Sequence, residues 1–110
     1  MTFDIENGVL KKVRDCEAHV TIPDSVTAIG SGAFADCIMM VDVVMSKNVT
    51  VINDGVFEGC SGLTAVSLPD GLTTIGTGAF SCCESLTEIV LPDSVKTLGD
   101  GAFLSCASLT

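Results

Sequence analysis

Residues 63–85 read LTAVSLPDGLTTIGTGAFSCCES, and residues 86–108 read LTEIVLPDSVKTLGDGAFLSCAS. Laid over one another, they match at Leu63 and Leu86, Val66 and Ile89, Leu68 and Leu91, Pro69 and Pro92, Leu72 and Val95, Ile75 and Leu98, Gly78 and Gly101, Phe80 and Phe103, and Cys83 and Cys106. The offset is 23 residues throughout. A fixed step of this length marks a solenoid, in which one supersecondary unit stacks on its own copies.

The same step runs back toward the start of the chain. Phe34 and Phe57 continue the Phe column, Cys37 and Cys60 the Cys column, and Gly32 and Gly55 the Gly column. Ile29 and Ile52, Val26 and Val49, Val20 and Val43, and Ile22 and Met45 fill further columns, and Met40 stands at the head of its unit. The units are therefore 17–39, 40–62, 63–85 and 86–108. The first lacks the opening Leu. The second diverges most, with Met45, Ser46 and Asn53 where the others carry Leu or Ile, Pro and Gly. The chain stops on Leu109-Thr110, the first two letters of a fifth unit, so it is expected to be a piece of a longer protein or to meet another chain there.

Each unit reads as one coil. Val66 and Leu68 alternate with Ala65 and Ser67, the period of a short strand with its apolar residues inward. Pro69-Asp70-Gly71 turns the chain. Leu72 and Ile75 point inward from a second short extended segment, and Gly76 and Gly78 bracket a further bend. Ala79-Phe80-Ser81-Cys82-Cys83 is expected to form a single helical turn on the opposite side. One coil cannot hide its own apolar face. Burying a large apolar side chain yields roughly 1.5–3 kcal/mol, whereas ordering the backbone costs roughly 1–2 kcal/mol per residue. Stacked units are required.

Residues 1–16 break the pattern. Phe3 and Ile5 alternate, Asn7-Gly8 is a strong hairpin turn, and Val9, Leu10 and Val13 restart an apolar pattern. This segment is expected to be a hairpin cap on the first coil. The expected fold is thus a solenoid of parallel coils, with short strands on one side and turns with short helical segments on the other.

Composition narrows the function. The 110 residues suit one domain. Five Phe, no Tyr and no Trp leave a core of aliphatic residues and Cys in thin layers. The net charge of −9, with 14 acids against 5 Lys and Arg, argues against nucleic-acid and anionic-lipid partners, which are bound through basic groups. No apolar run approaches the ~20 residues that span a bilayer, so no membrane insertion is expected. The opening residues do not read as a signal peptide.

The chemistry-bearing residues read mostly as structure. Cys37, Cys60, Cys83 and Cys106 lie in one column, where small thiols fit against neighbouring turns. Evenly spaced ligands do not converge on a tetrahedral metal, and stacked side chains seldom offer the bridge torsion of a disulfide between rungs. Cys16 and Cys82 lie outside the column, with Cys82 expected to face outward. His19, the only histidine, falls in register with Asp42 and is expected to pair with it at the surface, with no pocket for catalysis. Asp24, Asp70 and Asp93 form an interrupted column. They suit hydrogen bonds to their own turns better than calcium, because their oxygens lie in a line. Asn48-Val49-Thr50 is a glycosylation sequon by pattern alone. Gly76-x-Gly78 recurs in the other coils, with Asn53 for the first Gly in the second, and is architecture, not a phosphate loop. No catalytic residue, cofactor or metal site is expected.

The pattern Leu86-Thr87-x-Ile89-x-Leu91-Pro92-x-x-Val95-x-x-Leu98-Gly99-x-x-Ala102-Phe103-x-x-Cys106 resembles the BspA-type, or Treponema-pallidum-type, leucine-rich repeat. The resemblance covers residues 17–110. The opening Phe3-x-Ile5-x-Asn7-Gly8-Val9-Leu10 is similar to the segment that often precedes the first repeat. The resemblance implies a right-handed leucine-rich-repeat solenoid, with its parallel strand array on the concave side and turns with short helical segments on the convex side. It also implies a bacterial or protozoan protein, often large, surface-exposed or secreted, from a family of which several members adhere to host or extracellular-matrix proteins. It assigns no catalytic residue. Ser46 departs from the usual Pro, which implies local variation in that turn.

The expected function is protein binding through the outward strand positions His19, Thr21, Asp42, Val44, Ala65, Ser67, Glu88 and Val90. The parent protein would be an adhesin-like protein, secreted or at the cell surface. The uncapped C-terminal repeat is expected to invite end-to-end self-association. The alternative is a purely structural spacer within a long surface protein.

Overall fold

A computed structural model of the chain describes residues 2–109. The chain opens with an antiparallel hairpin, β1 (Thr2–Glu6) and β2 (Val9–Arg14). Asn7 and Gly8 turn it with φ of 53° and 79°, the left-handed pair that a tight hairpin requires. Two arrays of short strands then alternate along the chain. One comprises β3 (His19–Thr21), β5 (Asp42–Val44) and β7 (Ala65–Ser67). The other comprises β4 (Ala28–Ile29), β6 (Val51–Ile52), β8 (Thr74–Ile75) and β9 (Thr97–Leu98). The second array joins the hairpin in a six-stranded sheet, order β1-β2-β4-β6-β8-β9.

Every coil-to-coil ladder is parallel and in register. Ile29 pairs with Ile52, Ile52 with Ile75, and Ile75 with Leu98. Val20 pairs with Val43, and Val43 with Val66. Like therefore lies over like, as in the sequence columns. The rings of Phe34, Phe57, Phe80 and Phe103 form one stack, with centroids 5.2, 5.1 and 5.4 Å apart. That step is close to the ~4.8 Å spacing of neighbouring strands, so one repeat adds one layer. Phe34, Phe57 and Phe80 are fully buried, as are Leu63, Leu72, Ile75 and Leu86.

The expected helical segments are absent: among the described residues there is no helix. The segment after each bend is a run of turns, and the hydrogen bonds show why. In the first coil the amides of Ala33, Ala35 and Cys37 bond back three residues within the coil, to Gly30, Gly32 and Phe34. The amides between them, Gly32, Phe34 and Asp36, instead donate to Asp54, Val56 and Glu58 of the next coil. A helix needs consecutive amides to bond four residues back along their own chain. Here every second amide is spent on the neighbouring coil. The backbone follows suit: Gly78 (φ 64°) and Cys82 (φ 62°) are left-handed at either end of the third coil's segment, which no helix tolerates.

One departure from the repeat and one of its glycines have local explanations. Ser46, standing where Pro recurs, is buried and accepts a hydrogen bond from the Asn48 amide at 3.1 Å. The Asn48 side chain donates to the Asp24 carbonyl at 2.8 Å. The turn is thus held by side-chain hydrogen bonds in place of a Pro ring, and the amide of the sequon is already engaged. Gly76 packs directly on the coil before it: a Cβ there would lie 2.6 Å from the Asn53 carbonyl carbon.

Candidate functional site

The candidate face is built by alternation. In β3 and β5 the central residues, Val20 and Val43, turn inward and are buried. Their neighbours must then point out. Register aligns them in two rows: His19, Asp42 and Ala65 in one, and Thr21, Val44 and Ser67 in the other. All are exposed except Asp42, which is half-buried. Glu88 and Val90 occupy the equivalent positions of the fourth coil and are exposed, but residues 88–90 form no ladder with β7. Between β7 and this segment lies an open groove of about 380 Å³, flanked by Ala65, Ser67, Asp70, Glu88, Val90 and Pro92. Seven of the eight candidate positions are thus open to solvent, and six of the eight, Asp42 included, lie on one continuous sheet.

His19 and Asp42 pair across the two strands, Nδ1 to Oδ2, at 2.7 Å. The ring is exposed, so the bond anchors a surface side chain and activates nothing. Thr21 and Ser67 lie in the other row, and neither hydroxyl reaches the imidazole. The face therefore offers a partner hydrogen-bonding groups and charge on an open surface. Among the described residues, no group of three or more His, Cys, Asp or Glu is placed to hold a metal. Asp24, Asp70 and Asp93 all lie at the surface.

The cysteines divide into two kinds. Cys60, Cys83 and Cys106 are free and donate to carbonyls one coil back: Phe34 at 3.1 Å, Phe57 at 3.2 Å and Phe80 at 3.1 Å. Burial pushes the Cys60 thiol up to about 11 and the Cys83 thiol up to about 12, and raises Cys106 as well. These groups are structural donors and poor nucleophiles. Cys37 is different. It forms a disulfide with Cys16, a link that sequence reasoning missed. The signal was its place at the top of the column. One coil back from Phe34 stands Lys11, on the hairpin, so Cys37 has no Phe carbonyl of a preceding coil to bond.

Charge also divides along the chain. Lys11, Lys12 and Arg14 lie on β2 and balance Asp4, Glu6 and Asp15, so the coils carry the entire excess of negative charge.

Stacked parallel coils with a registered, solvent-facing strand array define a leucine-rich-repeat solenoid. The BspA-type leucine-rich-repeat family model matches residues 4–110 in six copies. The chain belongs to this family, whose fold is a non-catalytic scaffold for protein interaction. Among solved structures, it is similar to a leucine-rich-repeat protein of Treponema pallidum, with 30% identity and a TM-score of 0.72 over 93% of this chain and 61% of that one. It shares its fold with the pneumococcal vaccine antigen PcpA (21% identity, TM-score 0.88, 98% of this chain and 27% of that one). The same holds for a leucine-rich-repeat protein of Bacteroides ovatus (24% identity, TM-score 0.61, 98% and 38%). The chain spans less than two thirds of each of these proteins. No curated protein matches the sequence significantly. No helix among the described residues is long and apolar enough to cross a membrane.

Proposed function

We propose that this chain is a protein-binding module of an adhesin-like bacterial protein, secreted or at the cell surface, and that it engages a host or extracellular-matrix protein through His19, Thr21, Asp42, Val44, Ala65, Ser67, Glu88 and Val90. One observation carries the reading: side-chain identity is fixed inside and free outside on the same strands. Val20, Val43, Val66 and Ile89 are nearly uniform. The adjoining outward rows run His, Asp, Ala, Glu and Thr, Val, Ser, Val. Stacking constrains the first set and leaves the second to serve a partner. The Cys16–Cys37 disulfide supports an oxidising location, where such bonds persist.

The face has no Trp, Tyr or Arg, the usual anchors of tight interfaces. Affinity of one such module is accordingly weak, and further repeats or copies raise it. Self-association end to end would use the last coil, where Leu91, Leu98 and Leu104 are exposed. The test is Asp42→Lys with Glu88→Lys, with binding to purified matrix proteins measured on a sensor surface and the fold checked by circular dichroism. Loss of binding with the fold intact supports the face. Wild-type binding by the variant removes it, and no binding by either protein favours a spacer in a longer chain.

A further inference from the structure

The coils act as internal controls for one another. The Ile22 amide donates to the Val44 carbonyl, and one coil on the Met45 amide donates to the Ser67 carbonyl. At the other end of these strands the Ala18 carbonyl accepts the amides of Val41 and Asp42, and the Val41 carbonyl accepts those of Thr64 and Ala65. The series stops at the third coil. Among the described residues the Leu68 amide reaches no carbonyl, and the Thr64 carbonyl accepts no amide. The fourth coil is nevertheless stacked elsewhere: β9 pairs with β8, and the amides of Phe80 and Cys82 reach Ala102 and Leu104. The break is confined to the groove between β7 and residues 88–90.

Val66 stands between the two unused groups. The backbone groups of a strand alternate between its two edges. Ala65 and Ser67 are bonded toward β5, so the amide and carbonyl of Val66 face the groove. The edge thus presents the Thr64 carbonyl, the Val66 amide, the Val66 carbonyl and the Leu68 amide in sequence. Such a free edge is a template for the backbone of another extended segment.

The side chains around the groove define the rest of the guest. Guest residues beside Val66 face the same way as Val66, toward the half-buried Ile89, which suits apolar side chains. The residues between them point outward, past Ser67 and Glu88. Asp70 and Glu88 both line the groove and are exposed. Neither carboxylate has a hydrogen-bond or ion-pair partner among the described residues. Lys47 shares an adjoining hollow with Asp70 but does not line this groove. The outward guest positions therefore suit Lys or Arg.

We infer that the groove edge of β7 is a strand-addition site for an extended segment of a protein partner, in which apolar residues alternate with Lys or Arg. The guest backbone bonds Thr64, Val66 and Leu68, and its basic side chains meet Asp70 and Glu88. The inference rests on the binding face proposed above and gives it a mode of recognition: main-chain hydrogen bonds supply affinity on a face without Trp, Tyr or Arg anchors.

The experiment titrates the chain into a fluorescent peptide of about seven residues alternating Val and Lys, read by anisotropy, with amide exchange followed by NMR. In the free chain the Val66 and Leu68 amides should exchange faster than the bonded Met45 amide, and peptide should slow both. Only alternate amides of an added strand face its host. N-methylation of the Lys amides or of the Val amides should therefore abolish binding in one case and be tolerated in the other, the Lys set in a parallel guest and the Val set in an antiparallel one. Asp70→Asn/Glu88→Gln should bind about tenfold more weakly and with less dependence on salt. Equal effects of the two N-methyl peptides, or unchanged affinity of the Asn/Gln variant, would overturn the proposal. So would Val66 and Leu68 amides as slow as Met45 without peptide, since residues 88–90 would then already close on β7. A peptide that protects neither amide, beside matrix-protein binding that Asp42→Lys still abolishes, would sink strand addition alone and leave the strand rows as the binding face.

Discussion

The thiol of Cys83 donates a hydrogen bond to the carbonyl oxygen of Phe57, 3.2 Å away and 26 residues earlier in the chain. That oxygen also accepts the Cys60 amide, at 3.2 Å. The two most regular columns of the sequence are thus coupled: Cys60, Cys83 and Cys106 each clamp their own coil to the Phe of the coil before. A small buried donor is needed there, and Cys supplies one without the stronger hydration of a hydroxyl.

The clamp works only while the thiol is protonated, and this predicts alkaline sensitivity. Burial raises Cys60 from 9.0 to about 11 and Cys83 from 9.0 to about 12. The folded state thus holds these protons more tightly than the unfolded chain. The associated stability is complete below the unfolded value, and is lost as pH rises through the folded ones. Each thiol contributes a slope of up to about 1.4 kcal/mol per pH unit in that window. Urea midpoints should hold steady to pH 8 and fall between pH 9 and pH 11. Cys60→Ala/Cys83→Ala should start from lower stability and fall less steeply. An identical decline in the double variant would assign the effect to other groups.

Reactivity should separate the same residues. Cys82 is exposed, whereas Cys60 and Cys83 are buried and protonated. At pH 7 a maleimide should modify Cys82 first and reach Cys60 and Cys83 only in denaturant, as read by peptide mass spectrometry. Native labelling of Cys83 at the rate of Cys82 would place that thiol at the surface.

Cys82 also holds a strained backbone, with φ of 62°. The corresponding residue of the coil before is Gly59, at φ 77°. A left-handed conformation costs a non-glycine residue about 1–2 kcal/mol. Glycine removes that cost but gives the unfolded chain more freedom, by about 0.4–1 kcal/mol. Cys82→Gly should therefore raise stability by about 0.5 kcal/mol, and Cys82→Val should lower it. A chemical melt of both variants checks the order.

The ring column sets the largest single cost. Phe80 stacks between Phe57 and Phe103 and is fully buried. Phe80→Ala opens a cavity in the middle of the column and should cost about 3–5 kcal/mol. Phe103 is only half-buried and stacks on Phe80, so Phe103→Ala should cost less than half as much. Thermal melts followed by circular dichroism give the ranking, and equal melting of both variants would contradict it.

These residues also mark what sequence could and could not tell. Phe, Cys and inward aliphatic positions were readable because like side chains recur at one step and must lie over one another. The exposure of His19, Thr21 and Val44 followed from alternation with Val20 and Val43. The backbone of the segment from Ala79 to Cys83 was not readable. Its side chains tolerate a helical turn, and nothing in them states that the amides of Phe80 and Cys82 go to Ala102 and Leu104 of the next coil. Nor did alternation at Glu88 and Val90 reveal that their segment forms no ladder with β7. Cys37 was hidden by its own column: periodicity made it look like its three successors, and only its position beside the hairpin gives it another partner.

The hairpin gives the last prediction. Its ladder to the first coil has two pairs, Val9 with Ala28 and Leu10 with Ile29, beside which the Val13 amide bonds the Ala33 carbonyl at 3.1 Å and the Thr27 amide the Gly8 carbonyl at 2.7 Å. In a solenoid each layer is held by its neighbours alone, so an end layer has half the support of an inner one. The Cys16–Cys37 bond adds a covalent tie across a separation of 21 residues. Restricting the unfolded chain over such a loop stabilises by about 3 kcal/mol. Cys16→Ser should therefore lower the melting temperature, and a reductant should lower the wild type to the same point. The loss should also be local. Amide exchange should quicken first in β1 and β2, then around Ile29, while Phe57 and Ile75 keep their protection until global unfolding. A melting temperature unmoved by both reductant and substitution would mean that strand pairing alone secures this end. Uniform loss of protection along the chain would mean that the coils unfold as one body.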